Sequence, residues 1–354
     1  MKAARFHAAR DVRVEDVPEP GDLGPDELLV RPRWCGICGT DVHEYVAGPT
    51  IIPEGPHELT GSTIPQILGH EFSGDVVAVG SDVRSAKVGD RVSIMPLVYC
   101  GRCAACRNGQ GNVCPHKACV GLSWKWGGLA ELCVVADYMV NVMPDDITYE
   151  QGALIEPAAV GVYAVDRGEV RPGDVVFVTG AGPIGALSAL AAQAAGAAEV
   201  LISEPNPERR AQAEKLGLGI GLDPAAAPVG DVIAERTKGV GVDVALECAG
   251  NEHAFAACVD ALKSSGHLVQ VGIHPAKSSL EPFWWNFKEL TIRGTWGYKV
   301  SDWPRFLRLV ASGRFPIERM VTAEIGLDKI VDEGLEILAD PKGSHLKVLV
   351  AADA

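Results

Sequence analysis

Cys100, Cys103, Cys106 and Cys114 lie within one stretch, YCGRCAACRNGQGNVC. Two CxxC steps share a cysteine, and the fourth cysteine follows eight residues later. Thiolates this close along a chain can surround a single tetrahedral zinc, with every ligand supplied locally. The competing readings are a disulfide cluster or four buried thiols. A closed four-thiolate site offers no position to a substrate, so it is structural and the chemistry must come from other residues.

Other metal donors are spread along the chain. Cys38 stands in CGICGTDVHEY, His70 in GHEFSGDVVAVG and Glu156 in ALIEPAAVGVYAV. Singly they say little, because a lone cysteine or histidine usually packs and a lone glutamate usually faces water. Brought together, they would form a three-ligand zinc site with its fourth position open, which is the catalytic arrangement. Pro157 suits the first turn of a helix, so Glu156 is expected at a helix start. Asp41 is expected to brace the loop beside Cys38. Cys119, Cys133, Cys248 and Cys258 are expected to be small buried side chains.

A third set of residues suits a dinucleotide. VVFVTGAGPIGALSAL carries Gly180, Gly182 and Gly185 in GxGxxG spacing, after an apolar strand and at the start of an Ala-rich helix. Gly180 allows the tight turn, Gly182 the approach of the pyrophosphate, and Gly185 the approach of helix to strand. The helix amino terminus then offers unpaired N–H groups to the phosphates. The next strand, EVLIS, leads into Glu204, nineteen residues after Gly185. A carboxylate there accepts from ribose hydroxyls and repels a 2′-phosphate, which favours NAD over NADP. Arg209 and Arg210 follow closely and read as solvated helix charges, although Arg209 is retained as a cofactor candidate. The cofactor set is Gly180, Gly182, Pro183, Ile184, Gly185, Glu204 and Arg209.

These residues need two kinds of scaffold. Up to about residue 155, short β-branched runs such as DELLVRPRW, GDRVSIMP and AELCVVA alternate with turn residues, which predicts a β-rich domain. From about Val160, apolar strands such as DVVFVTG, EVLIS, VDVALECAG and HLVQVGI alternate with Ala-rich helical stretches. That predicts βαβ units and a parallel sheet covered on both faces. The strand-like KVLVAA near the end is expected to return to the first domain. The chain's 354 residues suffice for two domains. A net charge of −14 argues against nucleic acid or anionic membrane as a partner. The amino terminus has no apolar core of signal-peptide length, so a cytoplasmic setting with reduced cysteines is expected. The tryptophans Trp124, Trp126, Trp284, Trp285 and Trp296 are candidates for core or subunit contact, and Trp296 is also a candidate pocket residue.

The GHExxGxVxxVG-like residues 69–80, the four-cysteine loop and the later GxGxxG occur in one order. In that combination the chain resembles the zinc-dependent medium-chain alcohol and polyol dehydrogenases over nearly its whole length. The resemblance implies an α/β protein with a GroES-like β-rich catalytic domain, 1–157 and 297–354, and a Rossmann doubly wound parallel-sheet domain, 158–296. The structural zinc lobe would span about 96–118. By the same resemblance Cys38, His70 and Glu156 match catalytic zinc ligands. Glu71 matches a glutamate able to approach or exchange onto that metal, and Thr40 and His43 match a proton relay. The four clustered cysteines match the structural zinc, making two zinc ions per chain alongside NAD(H). Within the family, CGICGTDVHEY, PHELTGSTIPQILGHEFSG and SEPNPERR look like segments of the 2,3-butanediol dehydrogenases. The implied reaction is NAD-linked oxidation of a secondary alcohol or vicinal diol to a ketone, with polyol (sorbitol-like) or threonine oxidation as the alternative. A non-catalytic dinucleotide-binding relative is the remote alternative, and it would be expected to have lost part of this catalytic set. A homodimer or homotetramer is implied, with the sheet edge near TIRGTWGY as a candidate contact.

Overall fold

A computed structural model describes residues 1–352 apart from Pro275 and Pro341. The chain forms two compact units. One comprises Met1–Glu156, Lys299–Gly313 and Val321–Ala354, and the other Pro157–Tyr298 and Arg314–Met320.

The first unit is built on β-strands. β1 (Lys2–Ala8) pairs antiparallel with β2 (Asp11–Asp16), while β3 (Glu27–Gly36) runs into helix α1 (Gly39–Ala47). β4 (Gln66–Ile67) pairs with β1 to complete a three-stranded sheet. β5 (Glu71–Val79) lies antiparallel to β3; its first four residues are all buried, and it becomes partly exposed further along. β6 (Arg91–Ile94) follows, then the cysteine loop between β7 (Leu97–Val98) and β8 (Ala118–Cys119). That loop holds the short helix α2 (Ala104–Arg107). β9 (Cys133–Ala136) and β10 (Val140–Val142) close this run of strands.

Helix α3 (Tyr149–Gly168) corrects one expectation. Pro157 lies inside it, so Glu156 is in mid-helix and not at its start. The start is fixed earlier by a capping box. The Gln151 N–H donates to the Thr148 hydroxyl at 3.2 Å, and the Thr148 N–H donates to the Gln151 side chain at 3.1 Å. Two spare hydroxyls also hold the first turns in place: Ser93 donates to the Gly152 carbonyl at 2.8 Å, and Ser73 donates to that of Tyr149. A proline in a helix interior costs one backbone hydrogen bond, and here these surrounding contacts outweigh it.

The second unit carries a six-stranded parallel sheet. Its strands are β11 (Val175–Thr179), β12 (Glu199–Ser203), β13 (Ile220–Leu222), β14 (Val242–Glu247), β15 (Leu262–Gln270) and β16 (Thr291–Gly294). Their order across the sheet is β13-β12-β11-β14-β15-β16, so the chain reverses direction beside β11. The connections include α4 (Pro183–Ala194), α5 (Pro207–Lys215), α6 (Val229–Arg236) and α7 (Glu252–Ala261). Phe177, Leu201, Ile233, Phe255 and Leu268 meet in one buried cluster. The central strands are apolar on both faces, as a doubly covered parallel sheet requires. Ligands of such sheets bind at the carboxyl ends of the strands, near the reversal.

The last two strands return to the first unit. β17 (Val321–Gly326) pairs parallel with β18 (Lys347–Ala351), which lies antiparallel to β3. The larger sheet runs β10-β6-β5-β3-β18-β17, with β9 also on β3. No helix among the described residues is long and apolar enough to cross a membrane.

Candidate active site and metal centres

The four-cysteine loop closes on itself. Sulfur separations are 3.4 Å for Cys103–Cys106, 3.6 Å for Cys114–Cys100, 3.8 Å for Cys103–Cys114 and 3.9 Å for Cys100–Cys106. A tetrahedral zinc with Zn–S bonds of about 2.3 Å spaces its sulfurs about 3.8 Å apart, so the spacing fits that ion. It excludes disulfides, whose sulfurs are about 2 Å apart; all ten cysteines of the chain are unbridged. Backbone N–H groups of Arg102 and Cys103 draw the Cys100 thiol down to about 6. Cys106 is instead pushed up to about 12, by burial and then by the neighbouring thiols. Four thiols this close cannot all ionise without a cation among them, and a divalent metal removes that conflict.

A second donor cluster forms where β3, α1 and β5 meet. Among the described residues, ligand atoms of Cys38, His70 and Glu71 lie within 4.8 Å of one another. Cys38 caps α1, and its N–H donates to the Asp41 carboxylate at 2.9 Å. Asp41 therefore does brace this loop, and it also does more. Its other oxygen lies 3.7 Å from His70 Nδ1, and neither of these buried atoms has a hydrogen-bond partner. Burial alone would push the His70 imidazole down, but the charges of Asp41 and Cys38 reverse this and hold it well above its ordinary value. A metal between His70 and Cys38 would take the place of that proton. The donor set, one thiolate, one imidazole and nearby carboxylates, suits zinc.

Glu156 is buried but lies outside the trio of Cys38, His70 and Glu71. It is within electrostatic reach of Cys119 and Lys347. The Cys119 thiol, which sequence reasoning treated as plain packing, is pushed to about 12 by burial and also feels His70, Glu156, Asp41 and Cys38. Thr40 stands in the first turn of α1 with its hydroxyl 3.7 Å from the Cys38 sulfur. His43 is exposed one turn further along, at the spacing that puts two side chains on one helix face.

Sequence reasoning missed Lys347. Its ammonium donates to both Glu71 oxygens at 2.7 and 2.8 Å, and to the Ile37 carbonyl at 3.0 Å. Burial works against its charge, but Glu71 and then Cys38 outweigh burial and raise its pKa. The only signal was a cation opening an apolar strand, KVLVAA, at a position that proves fully buried.

The dinucleotide candidates cluster at the carboxyl ends of β11 and β12. Gly180 has φ +85°, and its N–H donates to the Ser203 carbonyl at 2.7 Å. A Cβ at Gly185 would stand 1.9 Å from the Gly180 oxygen, whereas a Cβ at Gly182 meets nothing within 4 Å. Gly182 caps α4, and Pro183 and Ile184 form its first turn. The buried Glu204 accepts from the N–H groups of Ala181 at 2.8 Å and Asn206 at 2.9 Å, which ties the glycine turn to the next loop. Each carboxylate oxygen keeps a second lone pair for ribose hydroxyls. The Arg209 N–H donates to the Asn206 side chain at 3.2 Å, while the Arg210 guanidinium turns to Asp223 at 2.8 Å. Trp124 donates to the Val134 carbonyl, Trp126 packs with Ala3, Ile67 and Ala130, and Trp285 packs on the second unit's core. Trp284 and Trp296 are exposed.

Comparison with known proteins bears on this arrangement. Residues 24–145 match the alcohol dehydrogenase GroES-like domain, and residues 183–312 match the zinc-binding dehydrogenase domain. The chain is 40% identical over 354 residues to the (R,R)-butanediol dehydrogenase of Bacillus subtilis, covering 99% of each chain. The crystal structure of 2R,3R-butanediol dehydrogenase from Bacillus subtilis superimposes with a TM-score of 0.92 at 40% identity, covering 99% of each chain. A putative zinc-binding dehydrogenase from Sinorhizobium meliloti, solved bound to NADP, superimposes with a TM-score of 0.87 at 34% identity, covering 99% of this chain and 98% of that one.

Proposed function

The chain belongs to the family of zinc-binding alcohol dehydrogenases, and on that premise we propose that it oxidises a vicinal diol, 2,3-butanediol, to the hydroxyketone acetoin and runs the reverse reaction with NAD(H). The observation that carries this reading is the full-length likeness to a butanediol dehydrogenase, joined to a Cys38–His70 cluster with carboxylates beside it. In this reading Cys38 and His70 hold a catalytic zinc with Glu156 or Glu71, and Cys100, Cys103, Cys106 and Cys114 hold a structural one. When bound, the two reactive groups supply the chemistry: zinc polarises the alcohol oxygen as a Lewis acid, and the nicotinamide ring takes the hydride.

The chain's own residues do the rest. Asp41 fixes the His70 ring and the Cys38 loop. The Thr40 hydroxyl receives the alcohol proton and hands it to His43, whose exposed imidazole releases it to water. Gly182 leaves room for the pyrophosphate beside the first turn of α4. Glu204 accepts from the adenosine ribose and disfavours a 2′-phosphate, which supports NAD over NADP. Glu156, a harder ligand than a third thiolate, would favour substrates with a second hydroxyl. Were Glu156→Cys to keep the diol preference unchanged, that part of the reading would fall. The open edge of β16, with Phe283 and Phe287 exposed nearby in sequence, supports assembly into a dimer or tetramer.

The test is NADH production by zinc-loaded protein offered (R,R)-, meso- and (S,S)-2,3-butanediol, sorbitol and L-threonine, with NADP as the cofactor control. Turnover of butanediol isomers with NAD is expected. Turnover of sorbitol or threonine alone would move the substrate, and preference for NADP would overturn the role given to Glu204.

A further inference from the structure

Glu247 ends β14, which lies beside β11 on the side opposite β12, and its side chain is fully buried. One oxygen, Oε1, accepts from the N–H groups of Ala249 at 2.9 Å and Gly250 at 2.8 Å, and from the Thr179 hydroxyl at 3.4 Å. The other, Oε2, accepts from the Gln270 amide at 2.9 Å and lies 3.2 Å from His274 Nε2. The Glu247 carbonyl accepts from the N–H groups of Val271 and Gly272, each at 2.8 Å. One residue thus ties the turn after β14 to the turn after β15. The two turns also touch directly. A Cβ at Gly272 would stand 2.4 Å from the Gly250 nitrogen, and one at Gly250 would stand 2.5 Å from the Ile273 oxygen. The glycine turn after β11 adjoins them, since a Cβ at Gly180 would meet Ala249 at 3.4 Å.

We propose that Glu247 is a positioning residue for the dinucleotide, clasping into one rigid wall the two turns that serve its nicotinamide half. The inference rests on the NAD reading given above and needs no particular alcohol. Its logic is the order of the sheet. A dinucleotide lies across a chain reversal, with one nucleotide on each side. Glu204 on the β12 side takes the adenosine, which leaves the carboxyl ends of β14 and β15 to the other half. Turns rich in glycine are costly to order, and a ligand binds more tightly when that cost is met beforehand. A carboxylate suits the task because both of its oxygens face donors. An amide would keep an acceptor for one set and turn its own N–H groups on the other. The Gln270 amide cannot rotate to relieve this, because it also donates to the Gly272 carbonyl at 2.7 Å.

The experiment compares NADH with ADP-ribose, which keeps the adenosine half and lacks the nicotinamide. Both are titrated calorimetrically into the wild-type protein, Glu247→Gln, His274→Ala and His274→Gln. Glu247→Gln should bind NADH about tenfold more weakly, the scale of one lost buried hydrogen bond. Its affinity for ADP-ribose should stay within about twofold of wild type, as expected of a separate subsite. His274→Ala should weaken NADH binding by about threefold. His274→Gln, whose amide nitrogen can donate to the same oxygen, should restore it. The His274 pair holds the inference to account even if Glu247→Gln does not fold. Equal losses of NADH and ADP-ribose in Glu247→Gln would make Glu247 a support of the whole sheet and overturn the proposal. Unchanged NADH binding by a folded Glu247→Gln, or by His274→Ala, would also overturn it. A wild-type protein that binds neither ligand would overturn the dinucleotide reading itself, and the inference with it.

Discussion

Asp41 reaches two candidate metal donors with one carboxylate: one oxygen accepts from the Cys38 N–H at 2.9 Å, and the other lies 3.7 Å from His70 Nδ1. At that distance the carboxylate acts on the ring by its charge, favouring a proton on Nδ1 and leaving the other ring nitrogen free for a metal. Asp41→Asn keeps the shape and removes the charge. Zinc affinity at the labile site should fall by about tenfold to a hundredfold, as read by competition with a chelator. Unchanged affinity would reduce Asp41 to a brace of the loop.

The second and third glycines of the turn after β11, Gly182 and Gly185, should respond differently to the same substitution. In Gly185→Ala the new methyl would stand 1.9 Å from the Gly180 oxygen, so helix and turn must separate. A loss of about 1–3 kcal/mol is expected in urea unfolding. Gly182→Ala meets no atom of the fold, and the backbone there has φ −70°. Its melting temperature should stay near wild type while NADH affinity falls about tenfold, or about 1.4 kcal/mol, in a fluorescence titration. Equal NADH binding by Gly182→Ala and wild type would contradict the place given to the pyrophosphate.

Cys103→Ser should act on stability more than on turnover. Its sulfur contacts those of both Cys106 and Cys114, and metal binding at such a site is itself folding free energy. Differential scanning calorimetry should show a lower unfolding temperature and one zinc lost per chain. A variant that has lost the zinc and melts as wild type would count against a structural role.

Acid should weaken the second unit through Asp243. Burial raises this carboxyl, but the Lys263 ammonium and the Val175 N–H more than offset that and hold it below its ordinary value. A carboxyl depressed by folding stabilises above its unfolded pKa of about 3.9, and the gain is lost as pH falls through the folded value. The pair is partly exposed, so its worth is at most about 1 kcal/mol. The stability gap between wild type and Asp243→Asn in urea should therefore be open at pH 7 and narrow as pH falls below the unfolded carboxyl value of about 3.9. A gap that widens on acidification would reverse the assignment.

What could be read from sequence depended on how local the contact was. The four cysteines and the glycine turn each form within a short stretch, so spacing alone foretold them. Glu156 was placed at a helix start because Pro157 is a strong local signal. The Thr148–Gln151 box is another, and it wins because Ser73 and Ser93 reach the helix from neighbouring strands. Glu71 and Lys347 are 276 residues apart. Only the register of β18 against β3, and of β3 against β5, brings them together, and no periodicity encodes that.

The place of β18 in the sheet also bears on how the chain is made. β3 lies between β5 and β18, and Ile37 waits for an ammonium 310 residues further on. A ribosome delivers the Cys38, His70 and cysteine-loop segments well before the strand that completes their sheet. The intervening parallel sheet needs only its own residues and can form during synthesis, as domains generally do. The Cys38–His70–Glu71 cluster cannot gain its buried lysine until β18 has emerged. Until then the edge of β3 that receives β18 is an unpaired strand, and the nascent protein carries its Glu71 charge without the counter-ion it will finally have.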